Sequence, residues 1–110
     1  MDKLSLLRVE KIVLEKKIRI GEIKVHEVER YNQLLEIFSV FESYIQTAAL
    51  PDLETLNLNA MRVKRGLSAS KAAEVIGVKE YTIRTWENGM LNSITYNEAR
   101  LMLILYGYFE

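Results

Sequence analysis

The chain lacks cysteine altogether and has a single histidine, His26. Without cysteine it can form neither a disulfide framework nor a thiolate metal site, and one histidine is too few for an imidazole site. The motifs that mark common enzymes are missing as well: there is no Gly-x-Ser-x-Gly, no glycine-rich phosphate loop and no nucleophile paired with a base. We therefore expect a protein that is not an enzyme and that binds no metal or cofactor.

Net charge and long apolar runs are also absent. Fifteen basic residues balance fifteen acidic residues, so the overall charge gives no sign of a nucleic-acid partner. Residues 1–11 lack the apolar segment of a signal peptide. The longest apolar stretch, residues 101–109, is about half as long as a membrane span. The sequence predicts a soluble cytoplasmic protein with no membrane partner.

Proline is nearly absent, and the single one, Pro51, predicts a boundary. Because the residue before a proline is biased away from helical geometry, a preceding helix should end near Leu50. At 110 residues the chain has room for one domain, or for one small domain with an appendage. We expect a mainly helical N-terminal segment over residues 1–50 and a second domain over residues 51–110.

The N-terminal segment carries an apolar stripe at helical spacing. The stripe consists of Ile20, Ile23, Val28, Tyr31, Leu34, Leu35, Phe38, Phe41 and Ile45. Around Gly21 the pattern alternates locally, so a short β-hairpin is the alternative to a helix there. A continuous helix over this segment would be about 70 Å long and could not bury its stripe alone. The segment must therefore fold back near Gly21 or pair with a second chain.

After Pro51 the sequence predicts four helices, which gives an all-α fold. The first spans residues 54–65, with Leu58 and Met61 in the core and Gly66 at its end. The next two span residues 69–76, after Ser68 as N-cap, and 80–88. A capping box over residues 95–98 opens the last helix, which reaches Tyr106.

Residues 66–89, GLSASKAAEVIGVKEYTIRTWENG, predict two short helices around a tight turn. Ala73 is small enough for the point where the helices cross. Gly77 can adopt the left-handed conformation that ends the first helix. Ile83 and Trp86 are three residues apart, so they place one apolar face of the second helix on the first. The opposite face is left free, and this is the geometry of a helix-turn-helix.

From Arg62 to Gly89 the chain resembles the helix-turn-helix of the phage Cro and cI repressor family, the XRE-like regulators. The residues that carry the resemblance are the Gly66-Leu67-Ser68 approach, the Ala73, Gly77 and Ile83 core, and the ending Trp86-Glu87-Asn88-Gly89. The resemblance extends more weakly over residues 56–108. It implies a lambda-repressor-like helical bundle and a homodimeric, nucleoid-associated transcriptional repressor of phage or mobile-element type. The implied partner is double-stranded DNA.

The resemblance also implies which residues contact DNA. Base contacts are expected from Lys79, Glu80, Tyr81 and Thr85, and also from Ala69 at the start of the preceding helix. Contacts to the DNA backbone are expected from Ser68, Lys71, Arg84 and Asn88. Arg62 is expected to pair with Glu87 across the bundle, mainly as a structural salt bridge.

Three positions depart from the family pattern at the DNA-facing edge. Ala69 stands where the family commonly has glutamine, Lys79 where it has serine or threonine, and Glu80 adds a negative charge. Residues 60–89 carry six basic and three acidic residues, a surplus that predicts weak DNA binding by a monomer. These features favour an alternative, a protein-binding module such as an antitoxin or a phage-encoded inhibitor. Its helix-turn-helix would be autoregulatory or vestigial, and residues 1–50 would bind the partner.

The last helix is apolar on every face, whereas a surface helix should keep a polar side. One face must meet the helix-turn-helix, and the other needs a cover. We expect a dimer or interdomain interface there, formed by Leu101, Leu103, Ile104 and Leu105. A functional dimer is the preferred interpretation. Cover by the N-terminal segment of the same chain is the alternative.

Overall fold

Within residues 3–47 and 49–109, which the computed structural model describes, every regular element is helical and none is a strand. The prediction of an all-α fold is confirmed. Side chains are described except those of residues 40–47, so the expected stripe positions Phe41 and Ile45 lie outside the described side chains. The elements are α1 (Lys3–Arg19), α2 (Val25–Thr47), a 3₁₀ turn (Leu53–Thr55), α3 (Leu58–Lys64), α4 (Ala69–Ile76), α5 (Glu80–Glu87) and α6 (Tyr96–Leu105).

The N-terminal segment folds back on itself at Gly21, whose φ of 73° lies in the left-handed region. The amide of Ile20 donates to the carbonyl of Lys16 at 3.1 Å, and that of Glu22 donates to the carbonyl of Lys17 at 2.9 Å. These bonds close the last turn of α1. The alternating pattern around Gly21 is therefore the end of one helix followed by the start of the next, and no hairpin forms.

A small apolar cluster joins α1 to α2. Leu14, Leu34 and Phe38 are buried in it, and Leu7 and Tyr31 pack against it. Two ion pairs flank the cluster. Arg30 donates to both carboxylate oxygens of Glu10, at 2.6 and 3.0 Å, and Lys17 donates to Glu27 at 2.5 Å. Each pair is partly exposed, so solvent screens most of its Coulombic energy. The apolar cluster is the main contact between the two helices.

The first α-helix after Pro51 begins later than the sequence predicts. Asp52 accepts from the amide of Glu54 at 3.1 Å and caps the separate 3₁₀ turn. Asn57 then accepts from the amide of Ala60 at 3.1 Å and caps α3. The start predicted at residue 54 was wrong because two capping side chains follow one another, and the second of them sets the start of the α-helix.

Local capping fixes the ends of the following helices as expected. Ser68 accepts from the amide of Lys71 at 3.0 Å, and Gly77, with φ 91°, ends α4. Thr95 and Glu98 form the predicted capping box of α6, with bonds of 3.2 and 3.0 Å. No helix in the described part of the chain has both the length and the hydrophobicity that crossing a lipid bilayer requires.

The core of the helix-turn-helix includes the N-terminal helix. Val9 and Ile12 of α1 lie in the same buried cluster as the apolar residues of α4, α5 and α6, and α1 contacts both α4 and α6. Leu103, Ile104 and Leu105 are buried, and Leu101 is half-buried against the same cluster. The second face of α6 is therefore covered within the chain by α1. Burial of these four residues needs no second copy.

Candidate nucleic-acid interface

The inner face of the helix-turn-helix is fully packed. Ala73 of α4 and Ile83 and Trp86 of α5 are all buried, and the left-handed Gly77 makes the turn between the helices. The indole nitrogen of Trp86 donates to the hydroxyl of Ser93 at 3.5 Å. Because one face of α5 is held in the core in this way, the residues of its other face are directed to solvent.

The exposed end of α5 carries three of the residues expected at bases. Lys79 is the N-cap residue, but its side chain makes no capping bond. Glu80 follows it in the first turn. The side chain of Tyr81 is 78% exposed. The structure thus brings these three residues together at one end of the helix.

Thr85, the fourth residue expected at bases, is half-buried. Its hydroxyl donates to the carbonyl of Tyr81 at 2.9 Å, inside the helix. That bond occupies the hydroxyl proton, which leaves the methyl group as the free part of the side chain. A threonine methyl group can contact the methyl group of thymine.

Arg84 is held by a neighbour on the same helix. Its Nη2 donates to Oε1 of Glu80 at 2.8 Å, and the two side chains are 61% and 47% exposed. An exposed pair of this kind contributes little to stability, so Arg84 can exchange the carboxylate for a phosphate at small cost. In the structure the carboxylate of Glu80 therefore occupies the guanidinium group of Arg84.

The remaining residues expected at the DNA backbone lie around the two helices. Ser68 caps α4, and Lys71 Nζ lies 3.6 Å from Oε2 of Glu74. Asn88 is exposed at the end of α5. Arg84 and Asn88 line one shallow pocket of about 130 Å³, whose other walls come from Asn59 and Glu87.

Ala69 does not belong to this surface. It is 3% exposed and lies in the main core cluster. A base contact from this position was a wrong expectation, because the first turn of α4 packs inward at Ala69.

A buried polar network closes the C-terminal end of α5. Arg62 of α3 donates through Nε and Nη2 to the two carboxylate oxygens of Glu87, at 2.7 and 3.0 Å, and through Nη1 to the carbonyl of Leu67 at 2.9 Å. Two further donors reach the same carboxylate: Tyr106 at 2.6 Å and Asn59 at 3.1 Å. The side chains of Arg62 and Glu87 are only 8% and 4% exposed. The expected partners do lie together, within a larger network.

The network shifts the pKa values of its members. Burial disfavours the charged form of Glu87, but the hydrogen bonds from Arg62, Tyr106 and Asn59 outweigh it and lower the pKa of that carboxyl. The hydrogen bond to Glu87 raises the pKa of Arg62. Burial and the adjacent carboxylate raise the pKa of the Tyr106 hydroxyl. The pair is therefore ionised and the phenol is neutral at physiological pH.

Sequence reasoning missed Asn59 and Tyr106. Tyr106 follows a run of apolar residues in the last helix, and a buried tyrosine usually needs a partner for its hydroxyl group. That general requirement was the signal that a polar partner lay nearby. Asn59 gave no such signal, because an asparagine in a short exposed helix is common at any surface.

The described residues offer no site for a metal ion, since no group of three or more histidine, aspartate or glutamate side chains comes together. Compared with models of protein families, with curated proteins and with solved structures, the chain gives no match. The geometry of α4 and α5 is therefore the basis on which a function can be argued.

Proposed function

We propose that the protein is a sequence-specific DNA-binding transcriptional regulator that acts as a homodimer, with α5 as its recognition helix. The observation that carries the proposal is the contrast between the two faces of α5. Ile83 and Trp86 fix one face in the core, while Lys79, Glu80 and Tyr81 are exposed on the other. A rigid short helix with exposed polar and aromatic residues at its N-terminal end suits insertion into a major groove.

Each exposed residue has a chemistry that fits a base edge. The ammonium group of Lys79 can donate to guanine O6 and N7, and the carboxylate of Glu80 can accept from cytosine N4. The ring of Tyr81 can contact a thymine methyl group or a sugar. Arg84 and Asn88, one and two turns further along, can donate to phosphate oxygens.

The modest charge of this surface supports a dimer. Residues 60–89 have a surplus of only three basic residues, so one copy neutralises few phosphates and should bind DNA weakly. A symmetric pair doubles the contacts, and its two recognition helices would enter successive major grooves about 34 Å apart. Since α1 covers α6, the dimer contact falls to other surfaces, and α1 and α2 carry exposed apolar side chains.

Selection from a random pool of duplex DNA tests the proposal. We expect the purified protein to enrich a palindromic sequence whose half-sites are one helical turn apart. Mass measurement of the free protein should show a dimer. Recovery of no enriched sequence at low salt would contradict DNA recognition, whereas enrichment of a single half-site would contradict the dimer.

A protein-binding module is the second candidate. The exposed apolar side chains of α1, of α2 and of the turn between them favour it. Val25 is 82% exposed, and Leu6, Ile20 and Ile37 are each more than half exposed. Apolar surface of this kind often marks a site for a protein partner. Such a module would copurify with a stoichiometric partner protein from its host and would give no DNA shift at low salt.

A further inference from the structure

Arg100 of α6 has no hydrogen bond or ion pair with any described residue, although it is half-buried. It lines two cavities that share the side chains of Lys11 and Glu15. These cavities lie where α1, α2 and α6 meet. An arginine stays charged at every physiological pH, and a partly desolvated guanidinium group favours an anionic partner.

The two cavities differ in shape. The inner one holds about 50 Å³, and its apolar walls come from Ile12, Phe38 and Ile104. The outer cleft holds about 430 Å³, and its apolar walls include Ile18 and Leu35. Together they fall within the range of about 300–1,000 Å³ that is typical of small-molecule sites. We call the two cavities together the junction cleft.

The charges around the junction cleft favour an anionic ligand. Lys11 is paired with Glu15 one helical turn away. The guanidinium group of Arg8 lies over the ring of Phe38, 5.2 Å from its centroid. Arg100 and the exposed Arg19 remain as the cations of the cleft with no acceptor among the described residues. Glu15 is the one acidic residue among the described residues that line the cleft, so the lining has a surplus of positive charge that attracts an anion.

We propose that the junction cleft binds a small organic carboxylate, with its head group on Arg100 and its apolar body against the walls of the cleft. The planar guanidinium group can donate two parallel hydrogen bonds to a carboxylate. The apolar side chains of the walls provide contact area for the body of the ligand, and the charged groups of the lining fix its head group.

The position of the junction cleft connects it to the recognition helix, and this part of the proposal rests on the proposed function. Ile104 of α6 lines the inner cavity, and Tyr106 follows two residues later. Tyr106 holds Glu87 at the end of α5. A ligand that moves α6 acts on the network that positions α5, so the carboxylate is an effector of DNA binding.

Octanoate is the probe, and its binding is measured by amide NMR of the intact protein. We expect saturable binding of one octanoate, with shifts around the cleft, and no saturation with 1-octanol, which lacks the charge. Arg100→Gln should weaken octanoate binding by about tenfold or more, as loss of a charged hydrogen bond does. Lys64→Gln removes an exposed cation from α3 and should leave binding unchanged. Ile18→Trp, which fills the outer cleft from a partly exposed position, should also weaken binding.

Octanoate binding that does not saturate, or that both cleft variants leave unchanged, overturns the proposal. Far-UV circular dichroism of each variant shows whether its fold is intact. A gel shift with and without octanoate keeps the two proposals apart. Octanoate binding without any DNA shift overturns the proposed function and leaves the cleft site standing. A DNA shift without octanoate binding overturns the cleft site and leaves the proposed function standing. A DNA shift that octanoate alters supports both.

Discussion

The hydroxyl group of Tyr106, at the end of α6, donates a 2.6 Å hydrogen bond to Oε2 of Glu87, the last residue of α5. The same carboxylate receives two bonds from Arg62 of α3. One side chain thus links three helices of the bundle. It also fixes the end of the helix that we propose to enter DNA.

Tyr106→Phe should destabilise the protein by about 1–3 kcal/mol. It removes one donor from a buried carboxylate and leaves the packing of the ring unchanged. Urea unfolding followed by circular dichroism measures the change. Tyr96→Phe is the matched control, because Tyr96 is 62% exposed and should change stability little. Equal stability of both variants and the parent would show that the bond contributes nothing.

Glu87 should make the stability depend on acid pH. Its folded pKa lies below the ordinary value of 4.5, so its contribution is complete above about pH 4.5 and is lost as the pH falls through the lower folded pKa. Urea unfolding between pH 2.5 and about 7 measures this dependence. In Glu87→Gln the loss of stability below pH 4.5 should be smaller than in the parent. The variant should also be less stable in neutral solution, because Arg62 keeps no ionised partner. Glu54→Gln is the exposed control, and it should retain the full dependence of the parent.

Gly77→Ala should cost about 1–2 kcal/mol, because a residue with a Cβ atom is strained at the φ of 91° found there. No atom lies within 4 Å of the added Cβ position, so the cost would come from the backbone alone. Gly77→Asn should cost less, since asparagine tolerates the left-handed region. Thermal unfolding of the two variants compares them, and an equal cost would point to a cause other than the backbone conformation.

Ile12→Ala should destabilise the helix-turn-helix itself by about 2–4 kcal/mol. Ile12 belongs to α1 but lies in the main core cluster with Trp86. Trp86 is the only tryptophan of the chain, so its fluorescence reports unfolding of that cluster. Ile20→Ala, at an exposed position, is the control. A fluorescence transition that Ile12→Ala does not move would show that α1 and the bundle unfold independently.

On a duplex that lacks the selected sequence, Glu80→Gln should strengthen binding roughly threefold or more, since it frees Arg84 and removes a negative charge near phosphates. Fluorescence anisotropy with a labelled duplex measures the affinity. Glu36→Gln in α2 removes the same charge from an exposed position outside the helix-turn-helix and should have a smaller effect. Weaker or unchanged binding of that unselected duplex by Glu80→Gln would contradict the competition between Glu80 and phosphate for Arg84.

The parts of the fold that local signals determine were predictable from the sequence. The bounds of α4 were predicted to the residue, because Ser68 and Gly77 fix its two ends. The cover of α6 by α1 was only the alternative prediction, and a dimer interface was the preferred one. Arg8 and Lys11 are buried in α1 among its apolar residues, which blurs the stripe that would have marked its inner face. The buried position of Ala69 likewise depends on packing between helices, which no local pattern encodes.

The central claim is that the exposed face of α5 recognises DNA, and one comparison tests it most directly. The affinity of the selected duplex is measured by anisotropy for the parent, Tyr81→Ala and Tyr96→Ala. Both tyrosines are exposed, but only Tyr81 lies on α5. We predict that Tyr81→Ala weakens binding by about tenfold, which corresponds to the loss of about 1–3 kcal/mol of base contact, and that Tyr96→Ala does not. Equal affinity of all three proteins, or loss of binding only in Tyr96→Ala, would contradict the account.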